Sequence, residues 1–240
     1  MTFGTAPGDR ATPQDMLSTV DDVRNNTERM LILDTCGEGA GVALSAGETV
    51  LAKEPLPRSS GSAEIVSAVQ RILENASLAL NELDAVGVVS GPGSFTGVRV
   101  GMAAAKGFAE ATGARMIVVS RLVVLREAAC VTDGVAVLDA GRGECYVLEP
   151  DGDEWLGSME ELLAKARSNG CELVAGEEKL ATKLREISPD VRLRLHSLQV
   201  EDALLPLLRL YRGANDTMVL VDANYLRCES DIYKTNLAGA

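Results

Sequence analysis

Histidine is almost missing from this chain of 240 residues: His196 is the one present. A paired-histidine metal site is therefore excluded, and no Asp/Glu/His/Cys grouping in the sequence offers the three or four matched ligands a metal needs. Aromatic residues make up only 3%, so the core must be built from Val, Leu, Ile and Ala, and a base-stacking surface for single strands has too little to work with. Basic charge is also short. Lys and Arg number 23 against 35 Asp and Glu, a formal charge of −12, so direct binding to a polyanion gains little from counterion release. The five cysteines, Cys36, Cys130, Cys145, Cys171 and Cys228, never stand in a C-x-x-C spacing, which excludes a zinc knuckle and a dithiol redox pair. Such scattered thiols suit a reducing compartment, and a cytoplasmic location is the expectation. No run of eighteen apolar residues occurs, so no helical membrane span is read.

What is there is an ordinary globular composition, 46% hydrophobic and 24% charged, long enough for one large domain or two small ones. Residues 1–29 are polar, of mixed charge and without period, and read as a disordered extension. From Met30 the pattern is dense. MLILDT, AGVALSAG and ETVLAKE predict an antiparallel meander. The stripe Ile65, Val69, Ile72, Leu73, Ala76 and Leu80 predicts a helix, DAVGVVS a buried parallel strand, GVRVGMAAAKGFAEATG a second helix capped by Gly113, and ARMIVVS another strand. A boundary falls in the region Ala128 to Gly134. Beyond it GVAVLDA and GECYVLEPDG predict a hairpin, followed by MEELLAKAR, CELVAG, EKLATKLREI, RLRLHS and EDALLPLLRLYRG as alternating helix and strand, with VDANYLR extended. The expectation is an α/β fold of duplicated lobes, mixed sheets flanked by helices. Residues 30–130 form the first lobe and 131–240 a smaller, degraded second copy.

GPGSFTGVRVG is the most unusual stretch. It follows a strand and opens a helix, yet it matches neither the Walker spacing nor the dinucleotide fingerprint, Thr96 standing where the latter wants glycine. Gly91, Pro92 and Gly93 make a sharp turn, Ser94 or Thr96 can cap the helix, and the free N–H groups with Arg99 could hold an anion. A ligand-free strand-to-helix turn accounts for the same residues. Inside the helix Gly97, Gly101 and Ala105 recur every four residues, a nearly bare face. Glycine costs about 1 kcal/mol against alanine in a helix, a cost incurred at Gly101 and Gly107. Close approach of another backbone explains it, from the chain's own sheet or first helix or from a partner's helix.

The run DAVGVVSGPGSFTGVRVGMAAAKGFAEATG resembles the TsaB (YeaZ) family, whose defining segment reads GPGSFTGxRxGxxxAKG; Gly91, Pro92, Gly93 and Lys106 fall on it. LDAGRGECY is similar to the family's Asp-Ala-x-Arg-x-Glu-x-Tyr, here Asp139, Arg142, Glu144 and Tyr146, and DANYLR to its closing Tyr-Leu-Arg. The family commonly carries Arg-x-His-Ser-Glu before the first helix. Here RSSGSAE retains Arg58 and Glu64 and lacks the histidine near Gly61.

The resemblance implies an actin-like, Hsp70-like fold and a non-catalytic subunit of the complex that installs threonylcarbamoyladenosine beside the anticodon of transfer RNA. It implies partnership with the catalytic paralogue TsaD and the ATPase TsaE, a homodimer when the partner is absent, and contact with tRNA only through the complex. No cofactor is expected to be bound tightly, with ATP or ADP at the partner junction. The first two helices form the contact surface in that family, which assigns Ile65, Val69, Gly97, Val98, Gly101, Met102, Ala105 and Phe108 to it. On this reading Gly101→Leu weakens association and leaves the fold intact. Asp34, Thr35, Ser94, Thr96, Gly97 and Arg99 are the candidates for a nucleotide or anion.

Two enzymatic readings compete. An actin-fold kinase would place Asp34 and Asp139 on Mg²⁺, with TCGEGAG as a loose phosphate loop. A glycoprotease-like peptidase would need a nucleophile and a base, and one histidine outside any motif offers little.

Overall fold

The computed structural model describes residues 27–57 and 62–213. The chain builds β1 (Arg29–Asp34), β2 (Gly41–Ala46), β3 (Thr49–Pro55), α1 (Ser62–Asn75), β4 (Ala85–Val89), α2 (Phe95–Thr112), β5 (Arg115–Val119) and α3 (Arg121–Ala128). It then repeats the order with β6 (Val135–Gly141), β7 (Glu144–Leu148), β8 (Glu154–Ser158), α4 (Met159–Asn169), β9 (Leu173–Ala175), α5 (Glu178–Ile187), β10 (Leu193–Leu195) and α6 (Leu204–Gly213). Short 3-10 turns at Leu80–Glu82 and Val200–Ala203 precede β4 and α6.

Each repeat makes a five-stranded sheet, ordered β3-β2-β1-β4-β5 and β10-β9-β6-β7-β8. Read from the meander edge the two orders are the same. In each, the first strand pairs antiparallel with the second and parallel with the fourth. The central strands are apolar because they are covered on both faces: every residue of β4 is buried, as are Met30 to Asp34 of β1. Strand β3 alternates exposed and half-buried residues, as an edge strand should.

The last helix of each repeat is exchanged. Leu122, Val124 and Leu125 of α3 share a core with Leu138, Leu148 and Val174 of the second sheet, while Leu204, Leu207 and Leu208 of α6 pack with the first. A Cβ on Gly87 of β4 would lie 2.6 Å from Leu207, and one on Gly176 would lie 2.4 Å from Leu138 and 3.4 Å from Leu125. Arg209 on α6 and Glu127 on α3 join the exchanged helices at 2.6 Å. The outer face of the second sheet has its own core, with Leu162, Leu163, Leu180 and Leu184 from α4 and α5.

Several expectations are corrected. Arg29 belongs to β1, its amide donating to Asp84 at 2.7 Å, and Glu28 pairs with Arg212 at 3.1 Å, so residues 27–29 are part of the fold. The remainder of the expected extension, residues 1–26, lies outside the described residues, as do Arg58, Gly61, Cys228 and the VDANYLR segment. Helix α1 stops at Asn75, five residues short of Leu80 on the predicted stripe. Ser77 takes a left-handed φ of 55°, and the Leu78 amide reaches back to the Leu73 carbonyl at 3.0 Å, which closes the helix. Helix α3 and strand β8 were not expected from the sequence. Val123 and Val124 continue the apolar character of β5 into α3, and the break is carried by Ser120 alone, which caps the helix through the Leu122 amide at 3.3 Å.

Candidate functional site

The carboxyl ends of the parallel strands meet where the two repeats face each other, the usual place for a ligand in an α/β sheet. Asp34 ends β1 and Asp139 lies near the end of β6. Each folds its carboxylate back on the amide two residues on, Cys36 and Gly141 respectively, both at 2.8 Å. Asp34 is buried. The turn after Asp139 carries three successive left-handed residues, Gly141, Arg142 and Gly143, which set Arg142 at an exposed tip.

Between these ends lies a pair that sequence reading missed. Arg121, the first residue of α3, has a side chain only 6% exposed and meets Glu177 at 3.3 Å; the second oxygen of Glu177 accepts the Asp139 amide at 3.1 Å. The Arg121 amide donates to Gly91 at 2.6 Å. Its guanidinium fits against residues 35–40 so closely that a Cβ on Gly37 would sit 2.1 Å from Nη2. Burial pushes the Glu177 carboxyl above the ordinary carboxylate range, against the pull of Arg121 and the Asp139 amide. One signal could have found the pair: Arg121 is the lone charge between Arg115 and Arg126 in an otherwise apolar run.

Of the residues read as anion-binding, Asp34, Thr35, Ser94 and Gly97 do come together, engaged with the chain itself. Thr35 donates to the Gly97 carbonyl at 2.6 Å, Ser94 caps α2 through the Gly97 amide at 3.2 Å, and the Ser94 amide donates to Cys36 at 2.9 Å. Thr96 and Arg99 lie outward, with Arg99 over the Phe95 ring at 3.8 Å. The Gly91–Pro92 bond is cis.

The glycine stripe faces inward. A Cβ on Gly93 would lie 2.3 Å from the Cys36 carbonyl, one on Gly97 2.1 Å from the Thr35 carbonyl, and one on Gly101 2.2 Å from the Thr35 hydroxyl. The close neighbour is the end of β1. Ile65, Val69, Val98, Gly101, Met102 and Ala105 are all buried in the chain's own core, and Phe108 is half-buried against it. The buried six offer a partner no side-chain surface of their own, while Gly97 and Phe108 of the expected contact set stay half-exposed. What α1 and α2 present outward includes Val66, Phe95, Ala103 and Gly107, set among Glu64, Gln70, Arg71, Glu74, Thr96, Arg99, Lys106 and Glu110.

The chemistry of the remaining groups is quiet. Burial, with Asp34 beside it, pushes the Cys36 thiol well up, and burial raises Cys145 to about 12. His196 faces Asp202 at 3.3 Å. Among the described residues no three His, Cys, Asp or Glu are grouped to hold a metal ion. Thiol labelling checks this directly. With an aromatic disulfide reagent at pH 8, exposed Cys130 is expected to react in the native protein while Cys36 and Cys145 stay unlabelled until denaturant is added, as mass spectrometry of peptides would resolve.

Two like sheets with exchanged last helices define an α/β protein of duplicated lobes, mixed sheets flanked by helices. The family profile described as TsaD, tRNA N6-adenosine threonylcarbamoyltransferase, matches residues 59–191. The tRNA threonylcarbamoyladenosine biosynthesis protein TsaB of Escherichia coli is 36% identical over 144 residues, 57% of this chain and 62% of that protein. Its Haemophilus influenzae namesake is 38% identical over 122 residues, 49% of this chain and 51% of that one. The chain thus spans between half and two thirds of the curated relatives it matches. A crystal structure from Pseudomonas aeruginosa, described as similar to the peptidase YeaZ, superposes with a TM-score of 0.64 at 25% identity, covering 83% of this chain and all of that one. The chain belongs to the family that this TsaD profile describes, and within it is similar to proteins named TsaB and YeaZ.

Proposed function

We propose that this chain serves the biosynthesis of threonylcarbamoyladenosine in tRNA as the non-catalytic partner of a TsaD-type transferase, docking through the outer faces of α1 and α2. The observation that carries the reading is the outward set Val66, Phe95 and Gly107 on adjacent helices, with Val66 42% and Phe95 38% exposed. A Cβ on Gly107 would meet nothing within 4 Å in the isolated chain, and Phe95 carries the Arg99 guanidinium on its ring. Support also comes from the names of the relatives, from the burial of Cys36 and Cys145, and from His196 facing Asp202. ATP or ADP, where it takes part, would sit at the junction with the partner. TsaE and tRNA would be met through the assembled complex, and a homodimer would use the same face when the transferase is absent.

Light scattering on a sizing column tests this, with the chain alone and mixed with TsaD from the same organism. A mixed species at heterodimer mass is expected. Val66→Arg should weaken it at least tenfold, the size of a lost central anchor, without moving the melting temperature of the chain alone. Absence of a mixed species, with ATP and TsaE also supplied, would reject the reading.

A further inference from the structure

We infer that the Arg121–Glu177 pair is an internal clamp that holds the crevice between the two repeats shut and so fixes the angle between their sheets. Elsewhere the repeats are joined by an apolar core through α3 and α6, which lies behind the strand ends and would act as a hinge. The clamp lies at the carboxyl ends of the strands, where the Arg121 side chain is buried. Arg121 is anchored by its own amide to the Gly91 carbonyl, in the turn that leaves β4. Glu177 is anchored by accepting the Asp139 amide at 3.1 Å, at the end of β6. The ion pair at 3.3 Å therefore ties the end of one sheet to the end of the other.

The surroundings are shaped to it. Gly37 leaves the room for the guanidinium, and a Cβ on Gly39 would fall 1.9 Å from the Leu198 carbonyl, so this loop is held from both sides. The Arg121 Nε is buried with no acceptor, a cost tolerated where the rest of the group is fixed. Ser120, the neighbouring residue, also reaches the second repeat, donating to Glu154 at the start of β8. Ion pairs on the flanks differ: Lys53 and Arg209 are 55% and 68% exposed in their pairs with Glu201 and Glu127, where solvent screens the attraction. A buried pair is poor evidence for stability, and its better-attested use is to specify one arrangement over another.

Hydrogen exchange of the full chain tests the clamp, with Glu177→Gln, which keeps the size and a carbonyl for the Asp139 amide. The expected result is exchange at least about tenfold faster in residues 35–40 and 139–143, with β1, β4 and β9 unchanged and a broader distance distribution in small-angle scattering. Wild-type rates in both loops would overturn the inference, and so would a uniform rise across all strands, which would mark a general stabilising contact. Should the single variant not fold, Arg121→Gln/Glu177→Gln leaves no lone buried charge. The same loop acceleration is expected there, and wild-type exchange in that double variant would overturn the clamp.

Discussion

Gly101→Leu is expected to cost the fold about 3 kcal/mol or more, lowering the melting temperature by roughly 10 °C or leaving the chain insoluble. The reason is the place of α2 over the end of β1. Its Cβ would sit 2.2 Å from the Thr35 hydroxyl oxygen, which is itself held by donating to the Gly97 carbonyl at 2.6 Å. A rotation of Thr35 would relieve the clash only by breaking that bond. The next atoms are the Thr35 Cβ and Cγ2 at 3.3 and 3.4 Å, so the whole side chain stands against the new group. Gly101→Ala should be milder and still destabilising, despite the better helix propensity of alanine. Thermal melts of the two variants, taken with far-ultraviolet dichroism, check the order. A Gly101→Leu chain that melts like the wild type would show that α2 stands off β1.

This outcome reverses what the sequence alone implies for Gly101, and the reversal shows where sequence reading stops. The spacing of Gly97, Gly101 and Ala105 states that one face of the helix is bare, and the structure agrees. Which backbone lies against that face is a question of tertiary placement, and a period of four carries no information about it. Resemblance to a family whose contact surface is formed by the same helices pulled the assignment to the partner side. Burial decides otherwise: Ala105 is 0% and Val98 2% exposed, with no partner present.

Other parts were legible for good physical reasons. Strand β4 was read because five successive buried apolar residues between turn signals admit little else. The duplication was read from the order of elements, strands of a hairpin followed by alternating helix and strand, recurring after Gly134. Exchange of the last helices was not legible, since α3 follows β5 without a change in apolarity and the registration of α6 over Gly87 depends on the other repeat being folded. Arg121 and Glu177 stand 56 residues apart and share no motif. A lone arginine inside an apolar run says that a partner must exist and leaves open which carboxylate it is.

Gly107 is the glycine whose substitution should separate folding from association. It is exposed, in mid-helix, and a Cβ there would meet nothing within 4 Å. In the isolated chain it therefore only costs, by about 1 kcal/mol relative to alanine, and Gly107→Ala is expected to raise the stability of the monomer by up to that amount. Gly107→Leu should likewise leave the monomer folded. If the outer face of α2 receives a partner helix at close range, leucine at this position holds the two backbones apart, and affinity for the transferase should fall at least about tenfold, comparable to Val66→Arg. The two measurements are read together, melting of the chain alone and titration of the complex. A stable Gly107→Leu monomer with weakened association assigns the bare position to the interface. A stable monomer with unchanged affinity moves the contact away from this end of α2 and leaves the glycine without a structural role.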